Sequence, residues 1–88
     1  MEEQLNLGAK YLSELQYEQA EAAYLAVIEI DPKNVDAYLG LADVYIVQGE
    51  YDKAIAVLEF AATGFGDSLP EELQEKLELV RKLRNEAE

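Results

Sequence analysis

The residues of this chain with the most chemistry to offer are its carboxylates. Glu2–Glu3 and Glu71–Glu72 are adjacent acids, and Asp31-Pro32-Lys33-Asn34-Val35-Asp36 gathers oxygen donors in a short stretch. Paired carboxylates serve metal binding or general acid–base catalysis. An EF-hand needs alternating acids around a central glycine, and no stretch has that spacing. Acids on a helix surface are ordinarily solvated charges, and the Asp31–Asp36 stretch reads as a turn. The chain has no His and no Cys. Zinc sites, disulfides, thiol nucleophiles and imidazole bases are excluded together. A serine triad lacks its base, and no phosphate-binding loop is present. The six tyrosines fall mainly at packing positions instead of forming a stacking platform. We expect no catalytic residue, no metal, no cofactor and no enzyme activity.

Charge narrows the partners. Seven basic residues stand against nineteen acidic ones, for a net charge of −12. Nucleic acid and anionic membrane surfaces need basic patches, so neither is an expected partner. Half of the residues are apolar, which is enough to fold despite the charge. The 88 residues suit one small domain. No apolar run reaches a membrane span, and Met1 is followed by Glu2, Glu3 and Gln4 where a signal peptide would be basic and then apolar. A cysteine-free chain without these signals fits a cytoplasmic setting.

The elements that must position these groups are helices. Ala, Leu, Glu, Lys and Gln dominate and sustained alternation is absent. Turn signals divide the chain into helices at about 2–14, 18–30, 34–48, 52–63 and 69–87. Asp31–Pro32 ends the second, Asn34 caps the third and Gly49 ends it. Ser68-Leu69-Pro70-Glu71 fits a capping box for the fifth. Leu69, Leu73, Leu77, Val80 and Leu83 give that last helix one narrow apolar stripe, as a terminal cap needs.

The chain also repeats itself. Leu5, Leu7, Tyr11, Tyr17, Ala20 and Ala22 return 34 residues later as Leu39, Leu41, Tyr45, Tyr51, Ala54 and Ala56. Such a period marks stacked supersecondary units. Small residues let antiparallel helices approach, with Gly8 and Ala42 on the first helix of each unit and Ala20 and Ala54 on the second. Tyr11, Tyr45, Leu7 and Leu41 are expected to fill the space around them. Continuing the period from Tyr38, Ala42 and Tyr45 lands on Glu72, Lys76 and Leu79. One residue further lands on Leu73, Leu77 and Val80, all apolar. The register slips by one residue in the Gly64–Leu69 linker, letting the last helix dock in its own rotation.

These residues resemble the tetratricopeptide repeat family, a 34-residue helix-turn-helix. Leu7-Gly8, Tyr11, Ala20, Tyr24 and Pro32 match its pattern in the first unit. Tyr38, Leu41-Ala42, Tyr45, Gly49, Ala54, Leu58 and Ala61 match it in the second. The resemblance implies an all-α, right-handed α-α superhelix of two helical hairpins plus a C-terminal capping helix. Its divisions fall at 1–34, 35–68 and 69–88. Four positions depart from the pattern: Gln4 for a large aromatic, Leu15 for the turn glycine, Val27 for alanine and Gly66 for proline.

In that family the first helices line a concave groove. By matching position the resemblance assigns it Glu2, Leu5, Asn6, Ala9, Leu12 and Ser13, then Asp36, Leu39, Gly40, Asp43, Ile46 and Val47. The last helix would add Glu71, Gln74, Glu78, Arg81 and Lys82. Some members grip the carboxylate of chaperone tails with Lys, Asn and Arg. Here Leu5, Ala9, Gly40 and the start of the last helix occupy those positions, so that clamp is absent. An apolar strip with acids around it suits a peptide or amphipathic helix carrying apolar and basic residues. The competing reading is that Leu39 and its neighbours only pad the core. The alternative function is assembly, with the first helix docking on a second copy in a homodimer or on flanking repeats.

Overall fold

A computed structural model describes residues 2–87. The chain forms α1 (Glu2–Ser13), α2 (Tyr17–Ile30), α3 (Val35–Val47), α4 (Tyr51–Phe65) and α5 (Glu71–Ala87), with one 3₁₀ turn at Gly66–Ser68. No strand occurs among the described residues. α1 packs against α2 and α3 against α4, each pair joined by a short turn. α3 also touches α1, α2 and α5, and α5 leans on α4. The result is a slab of 33 × 30 × 15 Å, with α1, α3 and α5 in one layer and α2 and α4 in the other.

α3 sits at the centre because its sequence allows nothing else. Ala37, Tyr38, Gly40, Leu41, Ala42, Val44 and Tyr45 are all buried. A helix apolar nearly all round must be enclosed. Its start is set by Asn34, whose side-chain oxygen accepts from the Ala37 amide at 3.0 Å. The preceding turn is fastened by Tyr38, whose hydroxyl donates to the Pro32 carbonyl at 2.8 Å. The small residues at the hairpin crossings, Ala20, Ala42 and Ala54, are wholly enclosed. Tyr45 is buried and its hydroxyl donates to Glu21 of α2. Burial first, then that bond, pushes the Tyr45 phenol far above its ordinary range.

Each α1–α2 and α3–α4 turn needs one residue at positive φ. Gly49 supplies it at 74° and Leu15 at 61°. Leucine is a poor left-handed residue, so the missing turn glycine leaves strain in the first hairpin.

The register slip before α5 is present. Leu73, Leu77 and Val80 are buried, while Leu79 is 47% exposed. The start of α5 differs from the capping box. Pro70 excludes helical geometry at Leu69, which is extended with ψ 120°. The first helical bonds therefore run to the Pro70 carbonyl from Leu73 and Gln74. Ser68 makes no side-chain hydrogen bond among the described residues. α4 runs on through Gly64 to Phe65, where Lys33 sits 4.8 Å from the ring centre. Arg81–Glu59 and Arg84–Asp52 tie α5 to α4 at 2.9 and 3.1 Å. Both pairs are exposed and contribute little.

Leu7 was expected in the core beside Leu41. It is 41% exposed, against 1% for Leu41. Leu41 is enclosed between two hairpins, whereas no element among the described residues lies against the outer flank of α1.

Candidate functional site

The layer of α1, α3 and α5 carries two adjoining depressions. Glu2, Leu5, Asn6 and Ala9 of α1 meet Tyr24 and Asp36 around the first. Leu39 and Asp43 of α3 meet Glu72, Glu75, Lys76 and Leu79 of α5 around the second. Asp36, Leu39 and Asp43 are spaced three and four apart and so share one face of α3. That face joins the two depressions into one surface.

Seven of the twelve expected residues line this surface: Glu2, Leu5, Asn6, Ala9, Asp36, Leu39 and Asp43. Leu12, Ser13, Ile46 and Val47 belong to neither depression. The Ser13 hydroxyl donates to the Lys10 carbonyl at 2.7 Å. Leu5, Leu12, Leu39 and Ile46 are half-buried and pack on the core, so part of the apolar strip is padding. Val47 is 55% exposed.

Gly40 requires a correction. It is buried, not open to the groove. The Tyr24 ring, reaching across from α2, fills the space where its side chain would stand. A β-carbon on Gly8 would lie 2.7 Å from Tyr24 Cζ, and one on Gly40 would lie nearer still. Both values are inside any tolerable contact, so the ring occupies a slot cut by two glycines on different helices. Tyr24 is only 5% exposed, yet it lines the first depression. Burial raises its phenol pKa, and the Asp43 and Asp36 carboxylates raise it further. The hydroxyl therefore lies in the field of both acids and keeps its proton.

The contribution of α5 also differs. Its residues beside α3 are Glu72, Glu75, Lys76 and Leu79. Glu71, Gln74 and Glu78 border a separate depression with Leu69 and Glu75. Arg81 is committed to Glu59 on α4. Shifting the core register by one residue placed the buried stripe correctly, but the residues of α5 beside α3 are different ones.

The electrostatics of the surface are one-sided. Glu2, Asp36, Asp43, Glu72 and Glu75 line it against Lys76 alone. Lys76 is spent on Asp43, with Nζ 2.9 Å from Oδ1. No group of three or more potential metal ligands occurs among the described residues. No helix among them is long and apolar enough to cross a membrane.

The opposite layer holds a feature that the sequence reading missed. The backbones of α2 and α4 stay apart. Leu25, Ile28, Tyr38, Leu41, Ala56, Val57 and Phe60 line a cleft between them. Leu25 is 46% exposed and Phe60 is 65% exposed. Such a cleft depends on how two helices from different hairpins lie side by side, which helix spacing along the chain does not carry.

Stacked helical hairpins with one face of first helices define an all-α helical repeat of the protein-interaction kind. The sequence agrees: residues 11–63 match the family model described as Tetratricopeptide repeat. That span is more than half of the chain, and the chain belongs to the tetratricopeptide repeat family. No curated protein matches it.

Proposed function

We propose that this protein is an interaction scaffold that holds a peptide or amphipathic helix against the layer of α1, α3 and α5. Its partner carries apolar anchors together with Lys or Arg. The observation that supports this most is the imbalance of the surface. Four of its carboxylates, at Glu2, Asp36, Glu72 and Glu75, make no ion pair among the described residues. Half-buried Leu5 and Leu39 stand between them. A basic, amphipathic partner supplies both complements, and charge would speed its approach.

The test is charge reversal. Asp36→Lys, Glu72→Lys and Glu75→Lys are exposed substitutions that leave the packing intact. Peptides selected from a displayed library on the wild-type protein should lose at least about tenfold in affinity on the triple variant. Unchanged affinity for a variant with wild-type circular dichroism would sink the proposal.

The exposed Leu7 on the open flank of α1 favours a second reading, in which this helix docks on another copy or on adjoining repeats. Sedimentation equilibrium over a range of concentrations separates the two. A monomer throughout removes self-association, and a dimer dispersed by Leu7→Glu supports it.

A further inference from the structure

We infer that the end of the concave surface between α1 and α3 is a subsite for a single arginine side chain of the bound partner, with the Tyr24 hydroxyl as its floor. This rests on the concave-face reading above and assigns one position within it.

Three observations lead there. Tyr24 is only 5% exposed, and its hydroxyl makes no hydrogen bond among the described residues. The other two buried tyrosines, Tyr38 and Tyr45, both have partners. The Tyr24 hydroxyl oxygen is not sealed off itself, so it opens on the depression while the ring is held below. Tyr24 lines the first depression, so its free lone pairs and proton are offered to whatever enters.

Glu2 and Asp36 stand on opposite helices around the same depression, and Asn6 adds an amide oxygen. No lysine or arginine lines it. The third nearby acid, Asp43, is already neutralised by Lys76. At this depression the unmet charge is therefore that of Glu2 and Asp36.

The glycine slot fixes the floor. With Gly8 on one side and Gly40 on the other, the ring cannot turn away without meeting backbone. A phenol held in this way is preorganised, and the partner need not order it. The acceptors come from two carboxylates, an amide and a phenol. A guanidinium, with five donors in a planar fork, matches that set better than an ammonium with three.

The experiment titrates the labelled protein with N-acetyl-arginine methylamide, the lysine and citrulline derivatives serving as comparisons, and follows amide and tyrosine ring signals by NMR. The arginine derivative should shift the Gly8 and Gly40 amides and the Tyr24 ring saturably, and citrulline should not. Tyr24→Phe keeps the ring in its slot and should weaken binding about fivefold. Asp36→Asn should weaken it by a similar factor, about three- to tenfold. Citrulline or lysine binding as well as arginine, or no effect of either variant, overturns the subsite. Library peptides held along α3 and α5 without a cation beside Tyr24 would overturn the subsite and leave the groove standing. Arginine bound at Tyr24 by a protein that holds no peptide would overturn the groove alone.

Discussion

Adding one methyl group at Gly40 tests the glycine slot. In an ordinary helix interior Gly→Ala stabilises by about 0.8–1 kcal/mol. Here the new β-carbon would stand well inside contact distance of the Tyr24 ring. The ring has no retreat, because its other side lies so close to α1 that a β-carbon on Gly8 would be 2.7 Å away. Overpacking of this kind costs about 1–3 kcal/mol, and the contact is at the severe end. Gly40→Ala should therefore destabilise the wild-type protein by about 1–2 kcal/mol net. In a Tyr24→Ala background the slot is empty. The same substitution should then stabilise by about 0.8–1 kcal/mol, reversing sign. Tyr24→Ala itself costs about 3–5 kcal/mol, so both pairs are compared by urea unfolding in trimethylamine N-oxide. Circular dichroism follows the transition. A coupling of about 2–3 kcal/mol is expected between the two positions. Stabilisation by Gly40→Ala in the wild type, or equal effects in both backgrounds, would refute the threading of Tyr24 between α1 and α3.

Three further outcomes follow from the fold. Leu15→Gly should raise stability by about 0.5–1 kcal/mol, since a leucine held at φ 61° and 69% exposed has strain to lose and little packing to forfeit; an unchanged or lower urea midpoint would contradict the strain. Ala54→Leu, at a fully enclosed crossing of α3 and α4, should cost about 1–3 kcal/mol, and an unaltered melting temperature would disprove the crossing. Tyr24, Tyr38 and Tyr45 all ionise above the ordinary value of 10.0, chiefly through burial. Above that pH the unfolded chain releases phenol protons that the folded protein keeps. Stability is then whole below about pH 10 and falls as pH rises beyond it. Tyr45→Phe should make that fall shallower in urea midpoints measured against pH.

Much of this architecture is legible along the chain because the repeat is local. Ala20 and Ala54 hold the same position in each unit, and both are fully enclosed at their crossings. Asn34 caps α3 through a bond to an amide three residues away, and such bonds can be read from a short window. The slip that buries Leu73 and Val80 is visible because apolar residues stop matching at 34 and resume at 35. What could not be read depends on pairs far apart in sequence. Gly40 looks like an open groove position until Tyr24, sixteen residues earlier, is found in its place. Gly8 likewise looks like a crossing residue for α2, and its smallness also serves the ring. The face that α5 turns to α3 depends on how two helices more than twenty residues apart pack together, which the apolar stripe of α5 does not encode. The failed capping box is a conflict between neighbours, where Pro70 overrides the preference of Ser68. Only the structure shows that acids from three helices share one surface whose single lining cation, Lys76, is spent on Asp43.

The proposed function places partners on the layer of α1, α3 and α5 and not in the apolar cleft between α2 and α4. Amide shift mapping with a library-selected basic, amphipathic peptide decides it. Binding on that layer should perturb Ala9, Asp36, Gly40, Asp43 and Lys76 and leave Leu25 and Phe60 undisturbed. Shifts confined to Leu25, Ile28, Ala56 and Phe60 would contradict it.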